Sequence, residues 1–186
     1  YLIVAAAGNN RTSFGPAVGQ TYWRRNEAGR MVNSGARPAD ISSNDSYGSI
    51  STDKNAKNVL TVGAVFGIPS EYNKKEDVVI SNFSSWGPTD DGRIKPDIVA
   101  QGVSVYAPIA SNDSSYGYLS GTSMAAPMVA GVAALLKSRF PAATMMDICN
   151  AITSTVKKYP ELEGLCNTGG VVNVYNAAMA LEKKFK

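Results

Sequence analysis

Gly121-Thr122-Ser123-Met124-Ala125-Ala126-Pro127-Met128-Val129-Ala130-Gly131-Val132-Ala133-Ala134-Leu135-Leu136 is the stretch on which the reading of this 186-residue chain turns. A serine stands between a glycine and an apolar run that carries no charge before Lys137. The run predicts a helix from Met124 to Arg139, apolar nearly all round and so buried centrally rather than laid on a surface. Pro141 ends it, since proline cannot continue the hydrogen-bond ladder. At the start of such a helix the first N–H groups lack partners and carry partial positive charge, which favours a developing anion there. Pro127 has no N–H to give the carbonyl of Ser123, so the first turn is expected to be irregular. On the tripeptide Gly121-Thr122-Ser123 alone, a Ser or Thr helix cap is the plainer reading.

Outward from this stretch the chain alternates short apolar runs with helical patterns. Leu2 to Ala7, closed by Gly8-Asn9-Asn10, reads as a strand buried on both faces, as does Val59 to Val65. Asp97 to Ala100 and Val103 to Tyr106 are shorter β-like runs among Pro88, Pro96 and Pro108. Ala142 to Lys158 and Asn173 to Lys184 are two further helix candidates. Buried strands with helices of this kind predict an α/β layer structure, three-layered, with a mostly parallel sheet. Arg11 to Lys57 is polar, rich in Gly, Ser and Asn, and too long for a plain connection. It reads as an insertion or long loop region, with a hairpin over Thr21-Tyr22-Trp23-Arg24-Arg25 and Arg30-Met31-Val32 around Asn26-Glu27-Ala28-Gly29.

Composition narrows the function classes. The apolar fraction of 44% suits a globular protein. A net charge of +3, from 18 basic and 15 acidic residues, is too mild to argue for nucleic acid. The uncharged stretch Leu119 to Leu136 holds Ser, Thr, Gly and Pro and falls short of a membrane span of ~20 apolar residues. Cys149 and Cys166, the only cysteines, permit one disulfide or two buried thiols. They are too few for a metal site, and the chain has no histidine. No cofactor is expected. A nucleotide site is excluded because Gly8 stands alone after its strand, without a phosphate-cradling glycine series. The chain opens apolar from Tyr1-Leu2-Ile3, with no basic leader, and reads as one cut open inside a fold. That predicts a bare strand edge at Leu2 to Ala7, through which the isolated chain would dimerise or aggregate.

The run Gly121 to Leu136 closely resembles the nucleophile segment of the subtilisin-like serine protease family (subtilases). Val4-Ala5-Ala6-Ala7-Gly8-Asn9 independently resembles the family strand that ends in the oxyanion asparagine. Lys57 to Val65, Phe83-Ser84-Ser85-Trp86-Gly87-Pro88, Lys95-Pro96-Asp97-Ile98-Val99-Ala100 and Gly170-Val171-Val172-Asn173-Val174-Tyr175-Asn176-Ala177 resemble further segments in the family's order. The resemblance implies the C-terminal portion of a subtilisin-like catalytic domain over 1–186, acting on polypeptide. It implies Ser123 as nucleophile and Asn9 as a donor of the oxyanion hole, with the Ser123 N–H as the other. It implies Ala6, Ala7 and Gly8 as a wall of the main specificity pocket and Leu119 near the leaving-group side. Export, to a secreted or cell-surface location, is implied as well.

The chain departs from the family pattern in one decisive respect. The family's catalytic Asp and His lie upstream of the asparagine, so both would come from sequence absent here. None of Asp40, Asp45, Asp90, Asp91 and Asp97 stands in the family's motif. Alone, the chain is expected to be inactive, since a serine without its base is a weak nucleophile. Met128 replaces a histidine common in the family and reads as packing, and Gln101 replaces a common proline. Tyr22, Trp23, Arg24 and Arg25 either overhang the cleft or form a plain surface hairpin. Thr89-Asp90-Asp91-Gly92 reads as a solvated turn, and no calcium site is carried over. The competing function class is a peptide-binding module that keeps the fold without the chemistry; retention of both Ser123 and Asn9 argues against it.

Overall fold

Val59-Leu60-Thr61-Val62-Gly63-Ala64-Val65-Phe66 is a β-branched and apolar run, and it forms a strand buried at every position but its last. The computed structural model describes residues 1–11, 19–25, 28, 31–36, 49–50, 52–67, 78–87, 89 and 91–185. In chain order the strands are β1 (Ile3–Ala6), β2 (Thr21–Arg25), β3 (Met31–Ala36), β4 (Val59–Phe66), β5 (Ile98–Val103), β6 (Val105–Pro108), β7 (Tyr116–Leu119), β8 (Lys157–Lys158) and β9 (Gly170–Val171). The helices are α1 (Thr122–Arg139), α2 (Met145–Ser154) and α3 (Val174–Phe185).

The main sheet runs β1-β4-β5-β9-β8. Its first four strands are parallel, with Val4 beside Leu60 and Val62 beside Ile98, and only β8 is antiparallel. The α/β expectation with a mostly parallel sheet therefore holds. Side-chain alternation divides the core in two. Leu60, Val62, Ala64, Ile98 and Ala100 pack with Ala125, Val129, Leu136, Ile148, Ile152 and Leu181 of the three helices. Val65 and Val99 face the other way, against Val78, Tyr159, Leu162, Cys166 and Val171.

A buried ion pair ties β4 to β5. Lys95 Nζ donates to Asp97 Oδ2 at 2.5 Å, to the Val59 carbonyl at 2.9 Å and to Thr61 Oγ1 at 3.2 Å. The Thr61 N–H also donates to Asp97 Oδ2, at 2.8 Å. Both charges keep several partners, which is the condition under which a buried pair is tolerated.

Two expectations need correction. β1 stands at the edge of the described sheet, as expected, but it is only half-buried rather than buried on both faces, with Ile3 exposed. α1 begins two residues earlier than expected and is not buried all round. It packs on the sheet through Thr122, Ala125, Ala126, Val129 and Leu136, while Pro127, Met128, Ala130, Gly131, Ala134 and Leu135 are exposed. Leu135 is 64% exposed. A helix with so little apolar contrast carries no signal of which face turns inward.

The predicted helix over Ala142 to Lys158 is trimmed to Met145–Ser154, because Thr144 and Asp147 close a capping box at its start. The hairpin within 11–57 is present as β2 and β3, antiparallel with a register shift between Thr21 and Trp23. Of its connecting residues only Ala28 is described, and the side chains of Tyr22 to Arg25 lie outside what is described, as do Asp40, Asp45 and Asp90. The antiparallel pair β6–β7 was not foreseen; it carries the chain from the end of β5 to the start of α1.

Candidate functional site

The parallel strands β1 and β5 end near the N-terminus of α1, the end of an α/β sheet where ligands usually bind. The chain returns from the β6–β7 hairpin to β5 at Gly121, whose N–H donates to the Gly102 carbonyl at 2.7 Å. Gly121 occupies the N-cap position of α1 and has no side chain to cap it. The cap comes instead from across the sheet. The Thr122 N–H donates to Asn9 Oδ1 at 2.9 Å, and Thr122 Oγ1 donates to the same oxygen at 3.0 Å. Thr122 Oγ1 in turn accepts the Gly8 N–H at 3.0 Å. The turn after β1 and the first turn of α1 are thus one hydrogen-bonded unit.

That unit sets the orientation of Asn9. With Oδ1 committed to two donors, the amide nitrogen must face the other way. Nδ2 lies 3.2 Å from the point a Cβ on Gly121 would occupy, and the Ser123 backbone nitrogen lies 3.7 Å from that same point. Two N–H donors therefore border one small space that only a glycine leaves open. Among the described residues neither Nδ2 nor the Ser123 N–H has a hydrogen-bond partner. Asn9 and Ser123 are both exposed, whereas Thr122 between them is buried. No acidic side chain lies in the first turn of α1 to offset the positive end of its dipole. Pro127 lies within the helix, so the Ser123 carbonyl loses its usual donor four residues on.

Gly8 has φ +111°, a conformation that favours glycine, and a Cβ there would also meet Ser85 Oγ at 3.0 Å. Ser85 closes the turn from behind. Its N–H donates to the Gly8 carbonyl at 2.8 Å, and its Oγ accepts the Asn10 N–H at 3.1 Å. Arg11 follows, with its guanidinium 3.5 Å from the centre of the Trp86 ring.

Of the residues singled out from the sequence, Gly8, Asn9 and Ser123 come together. Ala6 is half-buried at the end of β1, and Ala7 is fully buried, its N–H on the Val62 carbonyl at 2.9 Å. Leu119, at the end of β7, is exposed. Thr122 and Ser85, which hold the arrangement, were not singled out. Thr122 sat inside the quoted motif, but its partner lies 113 positions away, beyond the reach of any local pattern.

Cys149 and Cys166 are both free thiols, and burial pushes both above the usual thiol range. Asp91 is engaged by Arg93 and Thr89, and the Arg93 hydrogen bond lowers it to about 2. Among the described residues no group of three or more His, Cys, Asp or Glu side chains is placed to hold a metal ion. No described helix is long and apolar enough to cross a membrane.

The model of the Subtilase family matches residues 1–172. The chain belongs to the subtilase family. This subtilase chain is 32% identical over 149 residues to the subtilisin-like protease PopC of Myxococcus xanthus, a match covering 78% of the chain and 29% of that protein. It is 31% identical over 134 residues to serine protease AprX of Bacillus subtilis, covering 66% of the chain and 30% of that protein. It is 43% identical over 86 residues to the C5a peptidase of Streptococcus pyogenes, covering 46% of the chain and 7% of that protein. The subtilase chain thus spans less than a third of the length of these curated relatives. Among solved structures it is similar to one of the subtilase cytotoxin SubAB, at 25% identity with a TM-score of 0.59, covering 98% of this chain and 50% of the other. The PatG macrocyclase, solved in complex with peptide, shares the fold at 22% identity and a TM-score of 0.61, with 97% of this chain and 43% of the other covered.

Proposed function

We propose that the protein is a serine endopeptidase in which Ser123 attacks the peptide carbonyl, and Asn9 Nδ2 and the Ser123 N–H receive the oxyanion. The observation that carries this is the locked Asn9 amide. Its oxygen caps α1, which turns its nitrogen toward the space bordered by the Ser123 N–H. Donors fixed in advance stabilise charge that develops only in the transition state, without reorganising at the moment of reaction.

The base and its orienter are a histidine and an aspartate supplied by sequence outside these 186 residues, as this chain has no histidine. The chain alone is then inactive as a peptidase. The rest of the catalytic domain has a surface to occupy. Among the described residues β1 has one edge without a strand partner, and a groove of about 230 Å³ runs between Leu2 and Val4 on one side and Ala130, Ala133, Ala134 and Met145 on the other. In its absence the isolated chain pairs with a second copy through the same edge; a monomeric mass at high concentration would argue against this. The substrate is an extended polypeptide that passes Ala6 and Gly8 on one side and Leu119 on the other, while Ala7, expected in the same wall, is fully buried behind it. The location is secreted or at the cell surface.

The test is fluorophosphonate labelling of the full-length natural protein, with mass mapping and a Ser123→Ala control. A label on Ser123 that the control lacks is the expected result. No label on folded protein would overturn the reading and leave peptide binding without cleavage.

A further inference from the structure

The β6–β7 hairpin carries an aromatic face that the proposed chemistry leaves unused. Tyr106 and Tyr118 are directly opposed across the strands, and Tyr116 lies diagonal to Tyr106. The Tyr106 and Tyr118 rings are 5.0 Å apart, and those of Tyr106 and Tyr116 are 5.6 Å apart and stacked. Cross-strand rings of this kind stabilise a hairpin, and aromatic rings carry much of the binding energy where surfaces meet. Here the three residues are 60%, 57% and 72% exposed for Tyr106, Tyr116 and Tyr118. The opposite face of the hairpin is the one that packs, through half-buried Val105, Ala107 and Gly117 with Ile109 against the latter. A contiguous exposed aromatic face of this kind marks a binding surface.

Its position says what would occupy it. β7 leads through Ser120 and Gly121 directly to Ser123. Tyr118 is five positions from Ser123, so at most roughly 18 Å of extended chain separates them. A polypeptide bound extended at Ser123 covers that distance in about five residues, at ~3.3 Å each. Charge narrows the guest further. From Pro96 to Leu136 the sequence has no lysine or arginine, and its two charges are Asp97 and Asp113. Asp97 is paired with Lys95, while Asp113 lies in the turn that joins β6 to β7. Phenol faces attract cations, and a planar guanidinium also stacks on them.

We propose that the Tyr106–Tyr116–Tyr118 face is a subsite for an arginine side chain of the substrate polypeptide, within about five residues of the bond attacked by Ser123. The inference rests on the reading of Ser123 and Asn9 given above.

The test uses the full-length protein and a peptide series in which one arginine, alanine or phenylalanine is moved through five positions on each side of the cleaved bond. At one position arginine raises kcat/KM about tenfold over alanine, and over phenylalanine by a smaller factor. Tyr118→Ser brings the arginine-to-alanine ratio to about one, and Tyr118→Phe, which keeps the ring, retains it. An arginine preference at no position, one that survives Tyr118→Ser, or one exceeded by phenylalanine overturns the proposal. Peptide binding to the Ser123→Ala protein separates the two readings. Tyr118-dependent binding of the arginine peptide by a protein that cleaves nothing keeps the subsite and rejects the peptidase; cleavage without the preference does the reverse.

Discussion

The two ends of α1 face the same physical problem and resolve it differently. A helix leaves unpaired N–H groups at its start and unpaired carbonyls at its end. At the C-terminal end the helix ties down the chain that follows it. The Phe140 N–H returns to the Leu136 carbonyl at 2.9 Å, and Lys137 Nζ donates to the carbonyls of Pro141 and Ala143 at 2.9 and 2.8 Å. Lys137 and Arg139 also place positive charge where the dipole is negative. At the N-terminal end the Thr122 N–H is served by Asn9 Oδ1 and the Met124 N–H by the Gly121 carbonyl, while the Ser123 N–H, near Asn9 Nδ2, has no partner among the described residues. The same helix thus has a finished end and an unfinished one. At an exposed helix start water serves such donors until an anionic ligand replaces it, so the unfinished end is where function is to be sought.

Breaking the unfinished end has the largest expected effect. Ser123→Ala in the full-length protein lowers kcat for peptide hydrolysis by about a million-fold, a magnitude measured on subtilisin, a member of this family, rather than derived from this geometry. A stopped-flow or long-incubation peptide assay reads it. Gly121→Ala is next. Its Cβ would sit 3.2 Å from Asn9 Nδ2 and displace that donor by a few tenths of an ångström. The expected loss is roughly tenfold to a hundredfold in kcat with little change in KM, read from steady-state kinetics.

At the finished end, Lys137→Met removes two charge-assisted hydrogen bonds. It costs about 1–2 kcal/mol in urea-denaturation stability and leaves kcat unaltered. A comparable loss of activity would break the division between the two ends. The smallest effect is on pH. The Lys184 hydrogen bond, together with Thr144, holds the Asp147 carboxyl at about 2, against an ordinary 3.8. A carboxyl lowered by folding stabilises the fold above its unfolded value, and that contribution is lost as pH falls through the folded one. The α2–α3 contact should therefore weaken between pH 4 and pH 2, seen as faster amide exchange in α3, and Lys184→Ala should remove that pH dependence. Lys184 is well exposed, so the effect is slight.

The sequence showed one side of this comparison better than the other. The uncharged run reads as a helix over Met124 to Arg139, and Val59 to Val65 reads as a buried strand. The resemblance of Gly121 to Leu136 and of Val4 to Asn9 named the two ends of the site. What local pattern does not contain is their joint geometry. The bond from Thr122 to Asn9 spans 113 positions, and the role of Asn9 Oδ1 as a helix cap follows only from the way β1 is brought beside α1. The open face of α1 was illegible for the opposite reason: alanines and glycines on all sides give no period to read. The start of β6 falls within the β-like run Val103 to Tyr106, but β7 and the pairing escaped notice because the strands are four residues each and Gly117 interrupts the second.

Asn9 holds both jobs of the unfinished end in one side chain, and Asn9→Asp separates them. The aspartate keeps an oxygen for the Thr122 N–H and Oγ1 but loses the Nδ2 donor. The decisive measurement is kcat of the full-length Asn9→Asp protein alongside its urea midpoint. The account predicts a midpoint close to that of the parent and a kcat lower by roughly a hundredfold to a thousandfold, a range again known from subtilisin itself. An unchanged kcat, or a loss of activity that merely tracks a loss of stability, would contradict it.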